Sequence, residues 1–253
     1  MTGATLITGG ASGIGRLHAI RLAAAGERVA VLDRNMNALN ELAAQHARLV
    51  PFGCDVTDYD RLAEIVAEVE RDTGPIERLI VCAAIMPGGA LLERPAAKIK
   101  QVMEINYGGT VNITSIVVPL MLGRGRGDVV IYGSTAGIVP IDRFGAYGAT
   151  KAAVNHYARV LMSENRGKGV RFQLVCPPAV DTPLLEQVQD GGPELLKPGH
   201  DWLAQIVTPE AVVDSVDRAF RKGREINYPG RGKLIELAYR AFPNLIRMMS
   251  NRG

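Results

Sequence analysis

Ala4-Thr-Leu-Ile-Thr-Gly-Gly-Ala-Ser-Gly-Ile-Gly15 leads into a helical apolar pattern at Leu17, Ile20, Leu22 and Ala23, and after Gly26 comes Arg28-Val-Ala-Val-Leu-Asp33. A short apolar run of strand length, a glycine-rich turn, a helix and a second apolar run follow one another within thirty residues. Strand, helix and strand so close together predict a parallel pair joined by a right-handed crossover. The alternation continues outward: a helix over 37–46, a strand over 48–54, a helix over 58–72 and a strand over 78–83. The second half repeats it, with helices near 96–122 and 147–166 and strands over 128–132 and 171–176. This pattern predicts an α/β chain built on a doubly wound parallel sheet.

No linker interrupts the series, and α/β folds of 253 residues commonly form one domain, so residues 1–253 are expected to be a single domain. After Cys176 the pattern weakens. Residues 182–207 hold Gly191-Gly-Pro193, Pro198-Gly199 and Trp202, the only tryptophan, and are expected to form a lid over a substrate. Thr208-Pro-Glu carries the signature of a capped helix start. A short strand over 225–228 and a basic, apolar segment over 231–252 complete the chain. In that segment Lys233, Arg240 and Arg247 fall near one helical face, and Leu234, Ile235, Leu237, Ala238, Tyr239, Ala241 and Phe242 fill a wide apolar arc. Packing against the domain or a second subunit, peripheral membrane contact, or roofing an apolar site all fit that pattern.

A net charge of +3 without a dense basic run argues against nucleic acid as a partner. The N-terminus has no signal-peptide pattern, and no apolar run reads as a membrane span. Three cysteines, Cys54, Cys82 and Cys176, are an odd number without metal-ligand spacing, which suits a reducing cytoplasm. His18, His46, His156 and His200 show no ligand spacing either, so no metal site is expected.

The chemistry concentrates in Tyr147-Gly-Ala-Thr-Lys151, with Ser134 thirteen residues upstream in Ile131-Tyr-Gly-Ser-Thr-Ala-Gly137. Tyr147 and Lys151 lie one helical turn apart and face the same way. An ammonium near a phenol favours the phenolate, which makes tyrosine a usable acid/base. Ser134 can hold the same substrate oxygen. Gly9-x-x-x-Gly13-x-Gly15 lies between strand and helix, where glycines let the backbone approach a pyrophosphate and helix N–H groups receive it. Asp33 ends the second strand, where a carboxylate can accept from an adenosine ribose and repel a 2′-phosphate, favouring NAD. Arg34 can stack on adenine or reach a 2′-phosphate. Asp55 ends the third strand and can bond adenine; equally, Asp55, Thr57 or Asp58 can cap the next helix.

From the first strand to about residue 183 the chain resembles the short-chain dehydrogenase/reductase family, which has a Rossmann-type fold. The residues that carry the resemblance are Thr8-Gly-Gly-Ala-Ser-Gly-Ile-Gly15, Asp55-Val56, Asn106, Ser134, Tyr147-x-x-x-Lys151 and Pro177-Pro-Ala-Val-Asp-Thr182. The resemblance implies Tyr147 as catalytic acid/base and Ser134 as the residue orienting substrate. It implies Lys151 as the group that lowers the tyrosine pKa and binds the nicotinamide ribose, and Asn106 as holder of a relay water. It further implies cofactor contacts at Gly9, Ser12, Gly13, Ile14, Gly15, Asp33, Arg34, Asp55, Val56, Ala83, Pro177, Val180 and Thr182, and a homo-oligomer, dimer or tetramer. Asn106 reads equally as a helix stop before Gly108-Gly109.

Two departures stand out. Val81-Cys-Ala-Ala84 replaces the family's usual Asn-Asn-Ala-Gly, and Pro178 replaces a glycine after the sixth strand. Both bear on cofactor affinity, since Ala84 adds a methyl and Pro178 removes an N–H. The expected activity is NAD(H)-dependent interconversion of a secondary alcohol and a ketone on a small apolar substrate. An NADP(H)-dependent carbonyl reductase using the same residues and a non-catalytic dinucleotide-binding regulator are the alternatives.

Overall fold

The computed structural model describes residues 3–188, 191–193, 196 and 206–244. Trp202, half of the expected lid and the end of the basic segment, including Arg247, lie outside the described residues. The strands are β1 (Ala4–Thr8), β2 (Arg28–Asp33), β3 (Leu49–Gly53), β4 (Ile76–Val81), β5 (Gly127–Tyr132), β6 (Val170–Val175) and β7 (Ile226–Asn227). They lie in the order β3-β2-β1-β4-β5-β6-β7, with parallel pairing. The helices are α1 (Gly13–Ala24), α2 (Met36–Gln45), α3 (Tyr59–Glu68), α4 (Ala96–Met103), α5 (Gly109–Arg124), α6 (Gly145–Glu164), α7 (Pro183–Glu186), α8 (Pro209–Arg221) and α9 (Gly232–Ala241). The expected doubly wound α/β architecture is therefore present.

The described chain divides into two compact units whose segments interleave. The first comprises Met1–Ala83, Gly108–Tyr132 and Val160–Gln173; the second comprises Ala84–Tyr107, Gly133–Arg159 and Leu174–Gly253. In the first unit every residue of β1 is buried, as expected for a strand covered on both faces. Leu6, Leu32, Leu62, Leu79, Ile113 and Met121 are fully buried there. Each such side chain stabilises the fold by about 1.5–3 kcal/mol relative to exposure.

The second unit holds the apolar cluster of Met86, Phe144, Tyr147 and Val188. Its helix α8 begins as the sequence predicts: Thr208 Oγ1 accepts from the Ala211 N–H at 3.2 Å, with Pro209 in the first turn.

Several expectations change. The helix expected over 96–122 is α4 and α5 joined by a π turn at Glu104–Gly108. Taken together, Ala96–Arg124 has the length and hydropathy of a membrane span, contrary to the sequence reading. Within it α5 buries Ile113, Val117, Val118 and Met121 in the first unit. Strand β7 is two residues long rather than four, and the expected irregular stretch after residue 182 opens with the short helix α7.

In α9 the buried residues are Gly232 and Glu236, while Leu234 and Leu237, and Phe242 just after the helix, are exposed. The packed side is thus set by a carboxylate and not by the leucines. Lys233 Nζ lies 3.1 Å and Arg240 Nη2 2.7 Å from the Glu236 carboxylate. Burial pushes the Glu236 carboxyl up, but hydrogen bonds from Tyr228 and Lys233 and the charges of Lys233 and Arg240 leave it below its ordinary value.

Candidate active site

The glycine-rich turn of the first unit is held open from both sides. Gly9 has φ +71, and a Cβ there would fall 2.7 Å from the Ala83 nitrogen and 2.8 Å from its Cα. A Cβ on Gly10 would meet Val31 Cγ1 at 2.5 Å, and one on Gly15 would overlap the Gly9 carbonyl oxygen. Gly13 is also left-handed, at φ 51. Only glycine reconciles these approaches with the backbone path. Helix α1 starts after Ser12, which is extended and makes no side-chain cap bond, and its first turn contains no acidic residue. Uncapped N–H groups at Gly13, Ile14 and Gly15, with no acidic residue in the same helical turn, fit a pyrophosphate.

Asp33 sits at the end of β2 and is tied to that turn. Its Oδ2 accepts from the Ala11 N–H at 3.2 Å and its Oδ1 from the Asn35 N–H at 3.0 Å. Arg34 is exposed beside it. Asp55 Oδ1 accepts from both the N–H and the hydroxyl of Thr57, at 2.9 and 2.8 Å, closing an Asx turn. The cap of α3 is Asp58, whose Oδ1 accepts from the Arg61 N–H at 3.0 Å. Of the three capping candidates, then, Asp58 does the capping and Asp55 shapes the loop before it. Val56 is held by Asn112, which donates to its carbonyl at 3.0 Å, and by close contact with Gly109. Asn112 was not singled out from the sequence; only the fold brings it to residue 56. Ala83 donates its N–H to Thr8 Oγ1 at 3.4 Å.

In the second unit α6 presents Tyr147 and Lys151 one turn apart, both buried. The Lys151 ammonium lies 5.7 Å from the centroid of the Tyr147 ring. The Tyr147 hydroxyl is hydrogen-bonded to Ser134, and Ser134 Oγ also accepts from the Ala136 N–H at 3.1 Å. Burial pushes the Tyr147 phenol well above its ordinary value and the Ser134 bond draws it only part of the way back. The sequence expectation was a lowered phenol; in this structure desolvation dominates, because Tyr147 is enclosed by apolar groups. Phe144 packs on it with ring centroids 4.8 Å apart, and Met86, Ala136, Ile141, Leu184, Leu185, Val188 and Leu196 belong to the same cluster.

Asn106 sits in the π turn and is buried. Its Oδ1 accepts from the Ile85 N–H at 2.8 Å, and its Nδ2 donates to the Ile85 carbonyl at 2.9 Å and to Thr150 Oγ1 at 3.0 Å. Thr150 in turn donates to the Tyr147 carbonyl at 2.7 Å. The Asn106 side chain thus ties the segment after β4 to the start of α6, which explains how a buried asparagine is tolerated in this helix.

Further along, the Pro177 carbonyl accepts from the Thr135 N–H at 3.1 Å, and the Thr182 hydroxyl donates to the Val180 carbonyl at 3.4 Å. Two more ties sit beside the Tyr147 cluster. The Met86 N–H donates to Gln187 Oε1 at 2.9 Å, and Arg143, left-handed at φ 60, donates from Nε to the Gly191 carbonyl at 2.7 Å. Among the described residues no group of three or more His, Cys, Asp or Glu side chains is placed to hold a metal.

Comparison with known proteins agrees with this arrangement. The chain is 32% identical over 225 residues to glycine betaine reductase ATRR of Emericella nidulans, matching 87% of this chain but 18% of that longer protein. It is 30% identical over 224 residues to the 2,3-dihydro-2,3-dihydroxybenzoate dehydrogenase of Bacillus subtilis, covering 83% of this chain and 85% of that one. A solved short-chain dehydrogenase from Streptomyces avermitilis superposes with a TM-score of 0.81 at 26% identity, covering 96% of this chain and 93% of its own. The family profile described as short chain dehydrogenase matches residues 4–192. With the parallel sheet, the glycine turn and the Ser134, Tyr147 and Lys151 cluster in view, that match means that the chain belongs to the short-chain dehydrogenase family.

Proposed function

We propose that this protein is an NAD(H)-dependent oxidoreductase that interconverts a secondary alcohol and a ketone, with Tyr147 as acid/base and a small apolar molecule as substrate. The observation that carries the reading is the buried Tyr147 hydroxyl, bonded to Ser134, beside the Lys151 ammonium and surrounded by apolar side chains. When bound, the nicotinamide supplies the hydride donor or acceptor. Tyr147 gives its proton to a carbonyl oxygen as negative charge develops there, or takes the proton of an alcohol in the reverse direction. Ser134 hydrogen-bonds the same oxygen and fixes its place. Lys151 stabilises the phenolate left behind. The side chain of Asn106 is engaged with Ile85 and Thr150, so any role in a water relay falls to its main chain.

The apolar side chains that surround Tyr147 among the described residues favour substrates such as cyclic, long-chain or steroid-like ketones over sugar acids. NAD(H) is favoured because the Asp33 carboxylate repels a 2′-phosphate. A second reading, NADP(H)-dependent carbonyl reduction, is favoured by one observation: both Asp33 oxygens already accept backbone N–H groups, and Arg34 is exposed next to them. Assembly as a homo-oligomer follows from the family resemblance, and a cytoplasmic location from the odd cysteine count. Peripheral membrane contact through 231–252 has weaker electrostatic support than its composition implies, because Lys233 and Arg240 are paired with Glu236.

The test is a panel running from 2,3-butanedione through cyclohexanone and 2-decanone to steroid ketones, with the matching alcohols, each assayed with both nicotinamide cofactors. Turnover of an apolar ketone with NADH at higher kcat/KM than with NADPH is the expected result. Turnover of none of them with either cofactor would remove the reading.

A further inference from the structure

Asn155 lies one turn beyond Lys151 and two beyond Tyr147 on α6, so it shares their face. It is buried, and its amide engages both main-chain groups of a single residue, Ser134. Oδ1 accepts from the Ser134 N–H at 3.3 Å, and Nδ2 donates to the Ser134 carbonyl at 2.9 Å. The Cys176 thiol also donates to Oδ1, at 3.6 Å.

The surroundings are cut to fit this amide. A Cβ on Gly133 would overlap Oδ1, and one on Gly137 would fall 2.6 Å from Nδ2. The residues on either side of Ser134 are held differently. Gly133 donates its N–H to the Val175 carbonyl at 2.8 Å and Thr135 to the Pro177 carbonyl at 3.1 Å, both on β6 or its exit. Of the three, only Ser134 has its main-chain N–H held by a side chain of the helix that carries Tyr147 and Lys151, and its carbonyl accepts both from that side chain and from the Gly137 N–H, at 3.2 Å.

We propose that Asn155 is a positioning residue for Ser134. A planar amide bonded to both the N–H and the C=O of one residue fixes the direction of its Cα–Cβ bond, leaving the Ser134 hydroxyl only rotation about χ1. The hydroxyl is thereby registered to the same helix as the phenol and the ammonium. A tilt of α6 carries all three together, and their mutual geometry survives motions that would separate groups anchored on different elements.

The inference rests on the proposed role of Ser134 and Tyr147, and the test separates the two. Asn155→Ala is made alone and with Ser134→Ala, and kcat is measured on whichever panel ketone the parent reduces fastest. Expected is a tenfold or greater fall in kcat from Asn155→Ala in the parent, with the KM for the cofactor within twofold. In the Ser134→Ala background the same substitution should cost less than twofold, because the residue it positions is already gone. An equal fold loss in both backgrounds overturns the proposal, since a general structural role costs the same with or without the hydroxyl.

Amide exchange resolved to single residues gives a readout that needs no substrate. The Ser134 N–H of Asn155→Ala should exchange at least tenfold faster, while those of Gly133 and Thr135 change less than twofold. Unchanged exchange at Ser134, or equal acceleration at all three, overturns the proposal even if the parent turns over no panel ketone. If Asn155→Ala does not fold, Asn155→Ser, which loses the Nδ2 donor with a smaller void, is read in the same two ways.

Discussion

The Lys151 ammonium stands 5.7 Å from the Tyr147 ring centroid, and the Tyr147 phenol is nevertheless shifted upward, because burial outweighs the hydrogen bond from Ser134. A phenol that stays protonated is ready to donate, which suits ketone reduction near neutral pH. Alcohol oxidation needs the phenolate, whose fraction grows about tenfold per pH unit below the phenol's pKa. The kcat/KM for oxidation should therefore climb by about that factor per unit from pH 7 to 9, while reduction stays level. Parallel pH profiles of the two directions check this. A level oxidation profile above pH 7 would mean that the ammonium prevails over burial in the working enzyme.

Tyr147→Phe removes the hydroxyl and retains the ring that packs on Phe144, 4.8 Å away. Turnover should fall by at least ~10²-fold, the usual scale for acid–base catalysis, with the fold retained. Steady-state kinetics beside near-ultraviolet circular dichroism provide the measurement, and a variant that is folded and nearly fully active would exclude Tyr147 from proton transfer.

Gly9 and Gly26 are both left-handed, at φ +71 and +87, but only Gly9 has backbone atoms in the path of a Cβ. Gly26→Ala should cost about 1–2 kcal/mol, the price of the backbone conformation alone. Gly9→Ala should cost more, because Ala83 must also move, and it should weaken cofactor binding where Gly26→Ala does not. Chemical denaturation and fluorescence titration of NADH separate the two effects, and equal losses for both variants would contradict the close approach.

His18 is buried with its Nε2 2.7 Å from the Tyr132 hydroxyl, and burial, then the charges of Arg78 and Arg21, lower its pKa from 6.5 to about 3. The unfolded chain accepts the proton first as pH falls, so this group's contribution to stability is complete above about 6.5 and is lost between there and 3. The expected slope is about 1.4 kcal/mol per pH unit in that window. Urea unfolding at pH 7.5 and 5.5 should show it in the parent, and His18→Gln should lose much less stability between those two pH values. Identical pH dependence in both would assign the loss to carboxylates instead.

Most of the sheet was legible because buried parallel strands read as unbroken apolar runs, and the turn before α1 because its glycines answer contacts within a few residues. The Tyr147 and Lys151 pair was legible for the same local reason, one turn of one helix. What stayed hidden depends on distant partners. Asn112 reaches Val56 and Asn155 reaches Ser134 only after strands far apart in the chain are placed. The π turn at Asn106 looked like a stop because asparagine before two glycines has that meaning in an isolated helix. Glu236 lies in a segment that reads as basic and apolar, and only packing shows that its carboxylate is on the inward side of α9.

The carboxylate of Asp33 carries an implication for redesign. One of its oxygens fastens Ala11, inside the glycine turn, and the other fastens Asn35, at the start of the next helix. On the proposed reading, cofactor choice and loop order share one side chain, and exchanging Asp33 for a small neutral residue to admit a 2′-phosphate would also unfasten the turn proposed to receive the pyrophosphate. A lineage drifting from one nicotinamide cofactor to the other would meet a valley of poor affinity for both. The passable route keeps Asp33 and recruits new cations around Arg34, beyond the reach of the two backbone bonds.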